Sequence, residues 1–369
     1  MTYNGFVLII FALFAVLTYL LSIFIGKEED SIPNTLFSSG ITLIMSCIPE
    51  TSDTIMEIIA KLMNISLGED EGEYWFKAVI GLILIILGIV LNLALKQRVY
   101  VLNMYGIATQ KDIDESKALK ELKLVEYKVK EQVIDFVQFF NNGTTMEPKI
   151  NQMICKHIEN ATSKFSAKVA EQKETCFTGM APIPYTVYAG TFLESAKINR
   201  YFEYNNRNGG CYYELKKKIK KKEQNSLQSL NLSFPQTLNH GVSEVVLAIS
   251  ISHEVKESDL AQFSTDVVHI SLSNPQDNII KYSQQLNNYI DEIYEAIETK
   301  LKSNYPNLQM IHIVASVPSC VSLEIGKRIG LRTNRVCDIV VHHYVSSSNP
   351  PYVFGLYVNG SKKGQLYHN

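Results

Sequence analysis

Residues 6–25, "FVLIIFALFAVLTYLLSIFI", form an uncharged run of twenty, and residues 78–95 form a second run of eighteen. Each reaches the length at which a helix crosses the hydrocarbon core of a bilayer. Only a helix or a closed barrel satisfies its backbone there. The first run is too long for the core of a cleaved leader, lacks a preceding Lys or Arg, and is followed by no small-residue cleavage site. The second stands between "EYWFK" and "KQR", an aromatic belt and a basic anchor. The sequence therefore predicts two membrane spans.

Charge orients them. Between Lys27 and Lys77 there are three lysines and ten acidic residues, whereas Lys96, Arg98, Lys111, Lys117, Lys120 and Lys123 follow the second span. Basic flanks stay inside. Both termini are thus expected in the cytoplasm, with an acidic connector outside. Within that connector, residues 32–49 are uncharged but contain Pro and Gly. A third crossing there would move one end of the chain to the other side. Asp53, Glu57 and Lys61 lie on one helical face, and Ile55, Ile58, Ile59 and Leu62 on the other. That pattern suits a helix lying at the membrane interface.

After residue 100 the chain reads as an ordinary soluble domain. The net charge of −2 gives no electrostatic reason to expect a nucleic-acid duplex as partner. Six cysteines occur without a C-x-x-C pair or zinc spacing, which fits buried thiols in a reducing compartment. Leu122, Val125, Val129, Val133, Phe136 and Phe140 recur every three or four residues, so the spacing predicts a connecting helix across 113–140. It would either pack on the following domain or self-associate as a stalk. The organisation is then 1–100 for the membrane region, 101–141 for the connector and 142–369 for the soluble domain.

That domain contains its opening unit twice. A strand at 176–180 meets Pro182, a helical stretch passes through Gly190, and an aromatic strand follows at 198–204. A strand ending at Ser316 meets Pro318, a helix carries Gly326, and a strand runs over 337–344. The interval from Pro to Gly is the same in both. Glycine at that place suits close packing of helix on sheet. Between the copies lie two β-branched strands, at 244–255 and 267–273, and a long helix over 282–301. The fold class is α/β: two related Rossmann-type halves with mostly parallel sheets, preceded by a transmembrane helical hairpin. Ligands of such sheets sit outside the carboxyl ends of the strands.

Catalytic motifs are missing. The chain has no G-x-G-x-x-G, Walker A, G-x-S-x-G or H-E-x-x-H pattern. Cys320 follows a strand but has no evident partner. His342 and His343 are adjacent on a strand, point to opposite faces and do not share a metal. The expectation is a protein without enzymatic activity, metal or cofactor. The strand ends are small and hydroxylic instead. The candidate ligand-binding set is Pro182 and Tyr185 at the first turn, Ser250, Ser252 and His253 at the end of the third strand, and Ser316, Pro318 and Ser319 at the last turn. Hydroxyls and backbone N–H groups there suit a flat, phosphate-bearing ligand, although serines also simply end strands. "KKKIKKK" at 216–222 is a solvated face, an anionic-lipid contact or a phosphate contact.

"PIPYTVYAGTFLESAKINRYFEYN" and "IHIVASVPSCVSLEIGKRIGLRTNRVCDIVVHHY" resemble the matching segments of SAVED domains, and the resemblance spans about residues 145–345. It implies two fused CARF-like halves that bind a cyclic oligonucleotide, a cyclic trinucleotide by expectation, made by a partner nucleotidyltransferase (CD-NTase). With a membrane hairpin in front, the chain is similar to the transmembrane SAVED effectors of bacterial CBASS anti-phage systems. That likeness implies an inner-membrane, multi-pass protein that forms homo-oligomers on binding ligand and damages the lipid bilayer, causing abortive infection. The competing expectation is a membrane-tethered enzyme of the ring-nuclease kind that cleaves the messenger, with His253 and its neighbouring serines as the only hint.

Overall fold

The computed structural model describes residues 31–45, 71–95 and 98–367, apart from 107–112, 114–115, 126, 141–145, 170–173, 195, 206–209, 220–222, 224–226 and 332–336. The chain divides into two compact units, Met1–Gln97 and Arg98–Asn369.

In the first unit, helix α1 (Ser31–Met45) packs along helix α2 (Glu71–Leu95). Glycine permits their approach: a Cβ on Gly40 would stand 2.6 Å from the Gly81 carbonyl oxygen. Residues 32–45 of the uncharged stretch thus lie in a helix, with Leu43 buried and Phe37 and Ile41 exposed. On α2, Val79, Leu82, Ile83, Ile86, Leu87, Ile89 and Val90 are all exposed. Among the described residues no helix is long and apolar enough to cross a membrane; the side chains described on α2 run only from Val79 to Leu91. The first expected span, 6–25, and the expected interfacial helix around 53–62 lie outside the described residues.

The second unit holds two sheets. The first orders its strands β2-β1-β3-β4-β5, with β1 (Arg98–Tyr105), β2 (Lys128–Asp135), β3 (Glu174–Gly179), β4 (Arg200–Asn205) and β5 (Cys211–Glu214). All neighbours are parallel except β4 with β5. The second orders them β12-β11-β10-β9-β7-β8-β6. Here β7 (Glu244–Ser250), β8 (Val267–Ser271), β9 (Met310–Ser316) and β10 (Asp338–Tyr344) are parallel. β6 (Asn231–Ser233), β11 (Tyr352–Tyr357) and β12 (Leu366–Tyr367) are antiparallel additions. The order 8-7-9-10-11 repeats 2-1-3-4-5, so each half is the same doubly wound unit. β7 is central and every residue from Val245 to Ile249 is fully buried, which is why it reads as an unbroken apolar run.

The expected connecting helix over 113–140 is a misreading. Among the described residues of this stretch only helix α3 (Ser116–Glu121) and a turn of helix at Val137–Phe140 are helical, and 128–135 is strand β2, paired along its length with β1. Residues four apart share a face on a strand as well as on a helix, so the Val129–Val133 spacing did not discriminate. β1 alternates, with Val99 and Val101 in one apolar cluster and Leu102 and Met104 reaching another. The first half thus begins at Arg98, well before residue 142.

The repeated helices are α5 (Ile183–Gly190) and α8 (Ser319–Leu331), and they cross each other where the halves meet. Helix α4 (Pro148–Val169) covers the first half, α6 (Glu257–Leu260) is a short turn, and α7 (Ser283–Glu295) runs on through a π turn to Asn304. The glycine expectation needs correcting in kind. Gly190 and Gly326 serve helix-on-helix packing, because a Cβ on Gly190 would lie 2.2 Å from the Leu323 oxygen and one on Gly326 2.0 Å from the Val187 oxygen. One continuous core runs through both halves.

Candidate functional site

The last turn is built from both halves. Pro318 closes the first turn of α8, its carbonyl accepting from the N–H groups of Val321 and Ser322 at 3.1 Å each. Ser319 Oγ donates to the Gly179 carbonyl across the halves at 2.6 Å. The Cys320 N–H donates to Glu203 Oε1 at 2.7 Å, so a carboxylate from β4 fills the positive N-terminus of α8. Burial pushes the Glu203 carboxyl up, opposed by these hydrogen bonds. Cys320 is fully buried, and burial also pushes its thiol well up, with Glu203 adding to it, which disfavours the thiolate form.

The segment after β7 is stapled to the end of β9. The N–H groups of Ile251 and Ser252 both donate to the Ser316 carbonyl, at 2.9 and 2.8 Å. The His253 N–H donates to Ser316 Oγ at 3.1 Å. His253 Nε2 lies 3.1 Å from Asp277 Oδ1, in the segment after β8. Serine recurs here because a hydroxyl accepts backbone donors that leave the sheet.

These strand ends surround a cavity of about 790 Å³. Of the candidate set, Pro182, Ser252, His253, Ser316, Pro318 and Ser319 line it together. Tyr185 and Ser250 do not. The Tyr185 ring is fully buried and its hydroxyl donates to Asn151 Oδ1 at 2.8 Å. Ser250 is buried and its Oγ accepts from the Val255 N–H at 3.0 Å. Tyr185 is thus a core group of α5, buried along the helix from Pro184 to Gly190, and Ser250 a group that ties the loop after β7. In the lysine run, Lys216 is held at Tyr282 by a backbone bridge, Lys217 and Lys218 are exposed, and none of the three lines the cavity.

Other lining groups were not picked from the sequence: Tyr204, Asp259, Asp277, His342, Tyr344 and Tyr352. Position at the end of the second strand of each repeat was the available signal for Tyr204 and Tyr344. Asp259 lies in the one-turn helix α6 and Asp277 in a turn after β8, segments too short for sequence pattern to place.

Histidine chemistry is concentrated beside the cavity. His342 Nε2 is 2.9 Å from His312 Nδ1, and His312 Nε2 is 3.2 Å from Glu244 Oε2. Phe263 packs against both rings. Burial holds His312 below its ordinary value and His342 well below, the latter also through His312. Burial pushes His343 down to about 4. Among the described residues no group of His, Cys, Asp and Glu is arranged to hold a metal ion.

Comparison with known proteins gives the family. Residues 158–358 match the SAVED family, the SMODS-associated and fused to various effectors sensor domain. No curated protein matches the sequence. Solved structures similar to the chain include the Acinetobacter baumannii Cap4 SAVED/CARF-domain containing receptor with the cyclic trinucleotide 2'3'3'-cAAA, at 15% identity and a TM-score of 0.47. The same receptor with 3'3'3'-cAAA is similar at 14% and 0.48, and a third structure of it at 14% and 0.42. Each similarity covers 84% of this chain, which spans only 66, 66 and 65% of the receptor's own length. With more than half of its length inside the family match, the chain belongs to the SAVED sensor-domain family.

Proposed function

We propose that this protein is a membrane-anchored receptor for a cyclic oligonucleotide, a cyclic trinucleotide in class, and acts as an effector of a CBASS-type anti-phage system. The observation that carries this reading is the cavity where strand ends of both Rossmann-type halves converge. Its volume falls in the range of small-molecule sites. Tyr204, Tyr344 and Tyr352 are among its lining residues, and Tyr344, the exposed one of the three, supplies an aromatic ring of the kind on which bases stack. The ligand comes from a partner nucleotidyltransferase. Calorimetry of the full chain in lipid nanodiscs against cyclic di-, tri- and tetranucleotides tests the reading. Saturable binding of a cyclic trinucleotide is expected; no binding across the panel overturns it.

The output proposed is ligand-driven homo-oligomerisation that disrupts the inner membrane and aborts infection. The stretches 6–25 and 78–95 act as spans, with the second unit cytoplasmic. The exposed aliphatic side chains around α2 and the basic residues after it support this. Reporter fusions at Asp70 and Asn369 are expected in opposite compartments. The protein works without enzymatic activity in this reading. Linear products on incubation with the bound ring would replace the receptor by an enzyme that destroys its messenger.

A further inference from the structure

The cavity is rich in hydrogen-bond acceptors and poor in cations, an odd lining for a ring that carries phosphates. Glu254, Asp259 and Asp277 stand in it against one described cation, Lys256. Carboxylates accept and do not donate. Two of them are held by neighbours: Asp277 by His253 Nε2, and Asp259 by a side-chain hydrogen bond with Tyr344.

His342 adds an acceptor of a different kind, and a chain of bonds dictates it. Glu244 Oε2 accepts only, so His312 carries its proton on Nε2, 3.2 Å away. His312 Nδ1 is then a bare acceptor and takes the N–H of His342 Nε2 at 2.9 Å. Burial keeps both rings neutral, which leaves His342 Nδ1 without a proton. That nitrogen is buried and has no partner, on a residue that lines the cavity. An unpaired buried acceptor is costly, and a ligand donor would remove that cost.

We propose that the cavity reads the exocyclic amino groups of the ligand's bases through Asp259, Asp277 and His342 Nδ1, with the phosphates turned away from these groups. The inference rests on the receptor reading above and adds the base chemistry that the site selects. Amino groups meet acceptors here with the complementarity by which acidic side chains read base edges. A base edge without a donor faces acceptor against acceptor.

The test compares cyclic triadenylate with its analogue bearing unsubstituted purine, which lacks only the three amino groups. Calorimetry on the full chain in nanodiscs reads the affinity ratio. The amino-bearing ring is expected to bind on the order of ten- to hundred-fold more tightly. Asp259→Asn, Asp277→Asn and His342→Phe should each move the ratio toward one, a change that a general loss of folding does not produce. Equal binding of the two rings by the native protein overturns this inference and leaves the receptor reading standing. A large ratio untouched by all three substitutions overturns the assignment to these residues. Binding of neither ring overturns this inference, and the receptor reading falls with it only where no other member of the cyclic di-, tri- and tetranucleotide panel binds.

Discussion

Gly326 shows how one residue decides whether the halves can meet. Alanine in place of glycine in an exposed helix gains about 1 kcal/mol in helix propensity. Here the new methyl would sit 2.0 Å from the Val187 oxygen, a backbone atom that cannot swing aside. Gly326→Ala should therefore destabilise, by about 3 kcal/mol at the upper end of overpacking costs, and urea unfolding of residues 98–369 would measure it. The equal Pro–Gly intervals were visible in the sequence; that the two glycines touch each other was not, because helix contacts between distant repeats leave no local pattern. His343 carries a pH dependence of known sign. Its folded value, about 4, lies below the ordinary histidine value, so the unfolded chain binds the proton more readily. Stability is then full above about pH 6.5 and falls as pH drops toward 4, by roughly 3 kcal/mol in total. His312 and His342 act in the same direction, and Glu203, whose carboxyl is raised, opposes them. His343→Phe should flatten the decline in melting temperature between pH 7 and 5.

At the scale of elements, the misread segment has a direct consequence. β2 and β1 make up one side of the first sheet, and β1 covers the edge of β3 from Val99↔Glu174 to Met104↔Gly179. A fragment of residues 142–369 would lose both strands and expose that edge together with Leu102, Met104 and Phe136's partners in the core. Residues 98–369 should fold and stay monodisperse without ligand, while 142–369 should aggregate; size-exclusion chromatography with circular dichroism separates the two outcomes. The strands of the second half were legible because central parallel strands are apolar throughout, as 244–250 and 310–316 are. β2 was not, because only Ile134 of its eight residues is fully buried. An edge strand with one buried side chain carries too weak an alternation to compete with a helical spacing of valines.

For the whole molecule, the proposed coupling is one of effective concentration. A pair of helices joined by small-residue packing, such as Gly40 against Gly81, offers a small interface. Tying several such pairs to one ligand-bound oligomer turns weak contacts into stable ones. Ligand should raise the oligomeric state of residues 98–369 in sedimentation velocity, and the same fragment should fail to permeabilise cells that the full chain kills. A fragment that binds ligand and remains monomeric would shift the mechanism to a change within one chain.

The amino-acid sequence alone determined the apolar stretches, the α/β class, the repeated strand–turn–helix–strand unit and the turns at Pro182 and Pro318. All of these are properties of neighbours along the chain, set by periodicity, β-branching and the fixed φ of proline. The tertiary structure decided the rest. It turned 128–135 into a strand by pairing it with β1, left Tyr185 and Ser250 out of the cavity lining, and brought Asp259, Asp277, Tyr344 and Tyr352 to one cavity from segments far apart in the chain. It also joined Glu244, His312 and His342 into a chain of hydrogen bonds across three adjacent strands. The physical reason is that strand order is not local. Which residues become neighbours across β7, β9 and β10 is settled by burying one shared core, and that is a property of the folded chain as a whole.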